Sequence, residues 1–114
     1  MNARNPLLAS PPYEVERTLK KLGADLKTAR LRRNLTSEEV AQKIGTSRFT
    51  VADAEKGKPS TSAAVYAALL WAYGLVDRLA ELADPSKDEE GMRLALAREP
   101  TRARHSTGKL SNEF

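Results

Sequence analysis

Cysteine is absent from this chain of 114 residues, and aromatic residues make up only 5% of it. The lack of cysteine excludes disulfide bonds and thiolate chemistry, and it is compatible with a reducing cytosol. Because aromatic residues are few, we expect a core built mainly from alanine and leucine. The other proportions, 40% hydrophobic and 30% charged residues, are ordinary for a globular protein whose length suits one domain with extensions.

Long hydrophobic segments are also missing. The longest uncharged apolar run spans residues 63–76 and has 14 residues, whereas a membrane-spanning helix needs about 20. This run therefore predicts a buried helix. The N-terminus lacks the apolar core and the small-residue cleavage site of a signal peptide, so we expect a cytoplasmic protein.

Groups that serve catalysis are scarce. The single histidine, His105, lies in a polar C-terminal segment. The acidic residues upstream of it have neither a histidine partner nor the spacing of a metal site, and no glycine-rich phosphate loop occurs. We therefore expect no enzyme activity, no cofactor and no metal.

Charge is unevenly distributed along the chain, although the net charge is only +4. Residues 17–58 hold eleven Lys or Arg against five Asp or Glu, whereas residues 75–97 hold three against six. The basic surplus of the first segment indicates where a polyanion such as DNA would bind.

Start and stop signals divide the chain into helices, and no strand signal is longer than a few residues. Ser10, followed by two prolines, predicts the start of the first helix. Asn34 predicts its left-handed exit. Gly23 weakens this helix by roughly 1 kcal/mol relative to Ala and leaves a bend or a break open at that point.

Two short helices follow. A capping box at residues 36–39 predicts the start of one, and Gly45 closes it. Thr46 or Ser47 caps the next, which stops at Gly57. Two helices joined through a single glycine match the helix-turn-helix geometry, which places its second helix in the major groove of DNA.

The second half of the chain predicts three further helices: one over about 62–73, one over 75–83, and one capped by Ser86 that runs through about Arg98. The polar run that follows predicts a disordered tail. We therefore predict an all-α chain that consists of a flexible leader (1–10), a helical domain (11–84), an appended helix (85–98) and a disordered tail (99–114).

The stretch LGADLKTARLRRNLTSEEVAQKIGTSRFTVADAEKG resembles the phage-repressor and Cro (XRE-type) helix-turn-helix domain, and the resemblance covers about residues 20–80. It implies a five-helix, lambda repressor-like domain that binds a palindromic operator on double-stranded DNA as a homodimer. The segments on either side are similar to HipB-like antitoxins encoded beside HipA-like kinases. They imply a bacterial protein that binds a HipA-like kinase toxin and autoregulates the shared operon, associated with the nucleoid when bound to its operator.

The resemblance also implies roles for individual residues outside the recognition helix, which is the second helix of the helix-turn-helix. Arg30 pairs with Glu55, which pins the first helix to the third and holds Arg30 near a phosphate. Ser37 binds a phosphate at the start of the second helix, where the helix dipole favours an anion. Lys56 and Lys58 follow the recognition helix and bind the backbone of the far strand.

The positions that the resemblance assigns to base contacts are Ser47, Arg48, Phe49 and Asp53. Arg48 suits the O6 and N7 atoms of guanine, and Phe49 suits a thymine methyl or a sugar edge. Asp53 can accept a hydrogen bond from cytosine N4, or reject wrong sites by repelling phosphate. Thr50 can bind a base or a phosphate.

The helix over 62–73 is apolar on two faces, so it must be covered twice. One face, expected to meet the core, consists of Tyr66, Leu69, Leu70 and Tyr73. The other consists of Ala64, Ala67, Ala68 and Trp71. Its cover is the helix after Ser86, the N-terminal helix or another subunit, so both a dimer interface and an intrachain core position stay open for Trp71.

Two other functions remain open. A stand-alone phage-repressor-like regulator has the same domain and no toxin partner. A protein-interaction module with a retired DNA face has the fold without base recognition. Five further basic residues of the first helix are interpreted as a solvated face that attracts DNA through its field; they are Lys20, Lys21, Lys27, Arg32 and Arg33.

Overall fold

The computed structural model describes residues 5–98, all of whose regular structure is helical. The α-helices are α1 (Pro6–Ala9), α2 (Tyr13–Arg32), α3 (Ser37–Ile44), α4 (Arg48–Glu55), α5 (Ala63–Ala72), α6 (Val76–Ala80) and α7 (Glu89–Ala97), with a 3-10 turn at Pro85–Lys87. The predicted all-α class is confirmed. The chain divides into two compact units, which meet between Leu79 and Ala80 in the sequence. Within the described part of the chain, no helix is long and apolar enough to span a membrane.

The core of the N-terminal unit is formed by α2, α3, α4 and α5. Its fully buried side chains include Leu26, Val40, Val51 and Leu69, each at most 2% exposed. Of the four predicted core-facing residues, Tyr66 and Leu69 of α5 and its C-cap residue Tyr73 are buried, and Leu70 is partly buried against them. Four helices are therefore held together by one cluster of aliphatic and tyrosine side chains.

Helix α2 continues through Gly23 without a break. The glycine serves close packing instead. A Cβ at this position would lie 2.6 Å from the carbonyl oxygen of Ala54 and 2.7 Å from the amide nitrogen of Gly57. Because such distances exclude any side chain, Gly23 allows the backbone of α2 to lie directly against the end of α4.

The predicted start of α2 is wrong in detail. Pro12 occupies the N-cap position, and no side chain caps the helix. Ser10 lies two residues too early, and its backbone N–H instead donates to the Pro6 carbonyl as it closes α1. That helical turn, capped by Asn5, lies within the segment that was predicted to be a flexible leader.

Signals in the middle of the chain are confirmed. Thr36 and Glu39 form a reciprocal capping box at α3. Asn34, which follows α2, has a φ of 55° and so adopts the left-handed conformation that was predicted for the helix exit. Of the two candidate caps of α4, Ser47 is the one used, since its side chain accepts a hydrogen bond from the Thr50 N–H.

Helix α6 and the C-terminal unit depart from the prediction at their helix boundaries. Helix α6 ends at Ala80, short of the predicted residue 83. Ser86 does not cap α7, because Asp84 binds its N–H at 2.9 Å within the 3-10 turn. Asp88 caps α7 by accepting from the Gly91 N–H at 3.0 Å. The predicted tail (99–114) lies outside the described residues.

Candidate nucleic-acid interface

The turn between α3 and α4 sets the direction of the recognition helix. Gly45 has a φ of 84°, a conformation that a side chain disfavours even where space is open. The amide groups of Gly45 and Thr46 both donate to the Ala41 carbonyl at 2.9 Å. Ala41 is 1% exposed, and its small side chain lets the two helices approach each other closely. These local features fix α4 relative to α3.

Arg30 and Glu55 join α2 to the end of α4. The Arg30 Nε donates to one Glu55 carboxylate oxygen at 2.7 Å, and Nη2 donates to the other at 3.0 Å. Nη1 donates to the Leu35 carbonyl at 2.9 Å. The hydrogen bond that Arg30 donates to Glu55 raises the pKa of Arg30 above its already high ordinary value, so the guanidinium stays charged.

The burial of this pair bears on the phosphate contact that the resemblance assigned to Arg30. The two side chains are only 10% and 8% exposed, and three guanidinium N–H groups already have acceptors. Little of Arg30 is left to meet a phosphate. The structure thus shows Arg30 anchoring α4, and its contact with a phosphate stays a prediction.

The N-cap and the first turn of α4 present three of the four residues that the resemblance assigned to base contacts. Ser47 and Arg48 are exposed, and Phe49 is 67% exposed. On the opposite side of the same helix, Val51 and Ala54 are fully buried. Helix α4 therefore has one face in the core and its N-terminal side chains in solvent, the arrangement that a recognition helix requires.

Asp53 and Lys58 form an ion pair near the end of α4. The Lys58 Nζ lies 3.3 Å from an Asp53 carboxylate oxygen, with the side chains 49% and 42% exposed. The Lys58 carbonyl accepts a hydrogen bond from the Tyr66 hydroxyl at 3.1 Å, which ties the segment after α4 to α5. Lys58 therefore offsets the negative charge of Asp53 on this face, and exposed Lys56 adds a further positive charge.

Ser37 occupies the first position of α3 and is half-buried. Its backbone N–H belongs to the first turn of the helix, where amide groups lack partners within the helix and attract anions. The Thr36 side chain already binds the Glu39 N–H. The N–H of Ser37 itself suits a phosphate oxygen.

Two contacts were not predicted from the sequence. Arg33 is exposed, as predicted, yet it also donates to the Tyr73 carbonyl at 2.9 Å, besides the nearby Ala29 carbonyl at 2.9 Å. Lys43 Nζ lies 5.5 Å from the centre of the Trp71 ring. Tyr73 and Trp71 are far from Arg33 and Lys43 in the sequence, and no local pattern indicates these two contacts.

Trp71 is 56% exposed, so the alternative that it is an intrachain core residue is wrong. On the same side of α5, Ala64 is exposed and Ala67 and Ala68 are half-buried. This second apolar face therefore has only partial cover within the described residues.

Acidic residues in the described part of the chain form no cluster that could hold a metal ion. The site offers hydrogen-bond donors, cationic side chains and an aromatic ring on a helix-turn-helix, which are groups for binding a polyanion and base edges.

Residues 21–83, more than half of the chain, match the sequence model of a family described as a helix-turn-helix domain. No curated protein and no solved structure matches the chain. The family match covers α3, the Gly45 turn and α4, where the exposed site lies. The chain therefore belongs to the helix-turn-helix domain family of the XRE-like kind, a DNA-binding family.

Proposed function

We propose that this protein is a sequence-specific transcriptional repressor that places α4 in the major groove of an operator. The observation that carries the proposal is the two-sided character of α4. Val51 and Ala54 anchor the helix in the core, while Arg48 and Phe49 project from its first turn into solvent. In helix-turn-helix proteins the N-terminal residues of the second helix are those that contact base edges.

Charge supports the same docking. The surplus of Lys and Arg over residues 17–58 surrounds this helix in the sequence. Lys56 and Lys58 follow α4 and bind phosphates in this proposal, and the N-terminus of α3 at Ser37 binds another. Binding should therefore weaken steeply with salt, since each neutralised phosphate releases counterions.

The proposal includes a homodimer on a palindromic operator, with half-sites about 10 bp apart. Its support is the apolar face of α5, on which Trp71 is 56% exposed. A contiguous apolar patch on a protein surface often marks an interaction site, and the Trp71 ring lies on the same side of α5 as three alanines. Ala64, Ala67 and Ala68 would allow close approach of a second copy.

A narrower proposal is that the repressor is the antitoxin of a HipA-like kinase and autoregulates their operon. It rests on the resemblance of the segments that flank the helix-turn-helix. The acidic region 75–97 and the segment 98–114 are the surfaces that we assign to the toxin. Co-purification with a kinase encoded by the neighbouring gene supports this proposal, whereas the absence of a kinase gene there favours the stand-alone regulator.

The first experiment measures binding to the DNA just upstream of the protein's own gene, with a scrambled duplex for comparison, at two salt concentrations. We expect wild type to prefer its own upstream DNA, and Arg48→Ala to lose about 1–3 kcal/mol of that preference. Arg93→Ala, which removes an exposed arginine from α7, serves as the matched control and should keep the preference.

The opposite result is as informative. If wild type binds both duplexes alike, or neither, α4 does not read bases. The protein is then an interaction module with a retired DNA face, and its function must be sought through its partner.

A further inference from the structure

The side chains of Arg48 and Phe49 contact each other on the first turn of α4. The Arg48 Cζ lies 4.8 Å from the centre of the Phe49 ring, within the range of a cation–π interaction. Phe49 keeps 67% of its surface exposed. The ring therefore supports the guanidinium on one side and offers its remaining surface to whatever α4 binds.

This contact restricts where the guanidinium can lie. A free arginine side chain samples many rotamers, and the entropy lost on fixing one of them opposes binding. Stacking on Phe49 removes part of that freedom before DNA arrives. Arg48 is therefore preorganised for the planar, two-bond contact that guanine O6 and N7 accept.

The same stack sets the position of the ring relative to the bases. A guanidinium that bonds both O6 and N7 lies near the plane of its guanine. Successive base pairs are about 3.4 Å apart along the helix axis. A ring stacked on that guanidinium therefore lies at the level of the neighbouring base pair, in the major groove.

The apolar group that a base pair presents in the major groove is the C5-methyl of thymine. An exposed phenylalanine carries no hydrogen-bonding group and gains by covering apolar surface. The C5-methyl of a thymine stacked on the guanine is therefore the group that the Phe49 ring can cover.

We propose that Arg48 and Phe49 read two adjacent base pairs as one unit. Arg48 binds a guanine, and Phe49 holds Arg48 in place while it packs against the methyl of a thymine in the neighbouring pair. Each operator half-site therefore contains a guanine next to a thymine. This inference rests on the proposed function, because it assumes that α4 reads bases.

The test begins by selecting duplexes from a randomised pool with the full-length chain. A consensus in which each half-site has a guanine next to a thymine supports the inference. A consensus without that step overturns it and leaves the proposed function standing. If no consensus emerges, the proposed function fails and the inference fails with it.

The selected duplex then allows the methyl to be removed alone, by replacing that thymidine with deoxyuridine. Wild-type binding should weaken about fourfold, the effect of one buried carbon at about 0.8 kcal/mol. The Phe49→Ala variant should bind the thymidine and the deoxyuridine duplexes equally well. Tyr13→Ala is the matched control, because Tyr13 is also exposed and carries an arginine on its ring, that of Arg17 at 6.0 Å; it should retain the fourfold loss.

A second duplex, with 7-deazaguanine at the guanine, tests whether Phe49 positions Arg48. Loss of N7 should weaken wild-type binding about tenfold, as expected for one hydrogen bond from a charged donor. Phe49→Ala should reduce this penalty, and Phe49→Tyr, which keeps the ring, should restore it. A deoxyuridine penalty that persists in Phe49→Ala, or a 7-deazaguanine penalty that is unchanged in it, overturns the inference.

Discussion

Helices α4 and α7 resemble each other in length and in local hydrogen bonding, yet they differ in what they bury. They have eight and nine residues. Each has a side-chain cap, Ser47 accepting from Thr50 N–H at 3.2 Å and Asp88 accepting from Gly91 N–H at 3.0 Å. Helix α4 buries Val51 and Ala54, whereas no residue of α7 is buried.

This comparison shows that a cap and a helical pattern are not sufficient to make a rigid helix. Isolated helices shorter than about 12–15 residues are marginal in water. Helix α4 is stabilised by its packing on α2, α3 and α5 and by the Arg30–Glu55 pair. We therefore expect α4 to be a rigid platform for its exposed side chains and α7 to open locally at low free-energy cost.

The largest contrast should come from the ion pairs of the two units. Glu55→Ala leaves the buried Arg30 guanidinium without its carboxylate, so the free energy of unfolding should fall by roughly 3–5 kcal/mol. Glu81→Ala breaks the ion pair of Glu81 and Lys87, whose side chains are 59% and 61% exposed respectively. The free energy of unfolding should fall by less than about 1 kcal/mol. Urea denaturation followed by circular dichroism measures both, and equal losses would contradict the comparison.

Truncating one leucine in each unit should give almost as large a difference in the free energy of unfolding. Leu69 is 0% exposed, so Leu69→Ala should lower the free energy of unfolding by about 2–5 kcal/mol through lost burial and a cavity. Leu96 is 65% exposed, and Leu96→Ala should change stability by less than about 0.5 kcal/mol. Thermal unfolding provides the measurement. A large loss in Leu96→Ala would show that α7 is covered in solution.

Replacing one glycine in each unit with alanine compares how tightly the two backbones are packed. Gly23→Ala should destabilise the protein by about 1–3 kcal/mol, because its Cβ meets main-chain atoms of α4. In Gly91→Ala the added Cβ meets only the carboxylate of Asp88, which can rotate away. There the loss of the cap, about 1 kcal/mol, offsets a gain in helix propensity of similar size. Denaturation of the two variants should thus give a clear loss for the first and little change for the second.

The smallest expected effect is a loss of stability at alkaline pH, and it should come from the N-terminal unit. All three tyrosines belong to that unit. Burial raises the pKa of Tyr66 and of Tyr73 above their ordinary value. Because the unfolded chain loses these protons first, at a pKa of about 10, the folded state should lose stability as pH rises above that value. Below pH 10 this contribution is fully present.

Tyr73→Phe tests the origin of this effect. The Tyr73 hydroxyl is buried and has no hydrogen-bond partner among the described residues, so its removal should be neutral or stabilise the fold by about 1 kcal/mol at pH 7. It should also flatten the decline above pH 10. An alkaline decline of unchanged slope in this variant would assign the effect to other groups.

Much of the helix-turn-helix could be predicted because its signals are local. The capping box of Thr36 and Glu39, the turn at Gly45 and the exit at Asn34 each depend on atoms only a few residues apart. The same reasoning was wrong for Ser10 and Ser86, because neighbouring prolines and aspartates competed for the start of the helix. The base-contacting and phosphate-contacting roles remain predictions, although Arg48 and Phe49 do project from α4.

The sequence by itself determined the order of the helices from α2 onward, the turn between α3 and α4 and the basic character of that region, because short-range hydrogen bonds and composition depend on residues that are close in the chain. Only the tertiary structure decided that Gly23 seats α4 against α2, that Arg33 binds the Tyr73 carbonyl, and that the ring of Trp71 is exposed. These properties depend on segments that are distant in the chain and meet only when the apolar core closes.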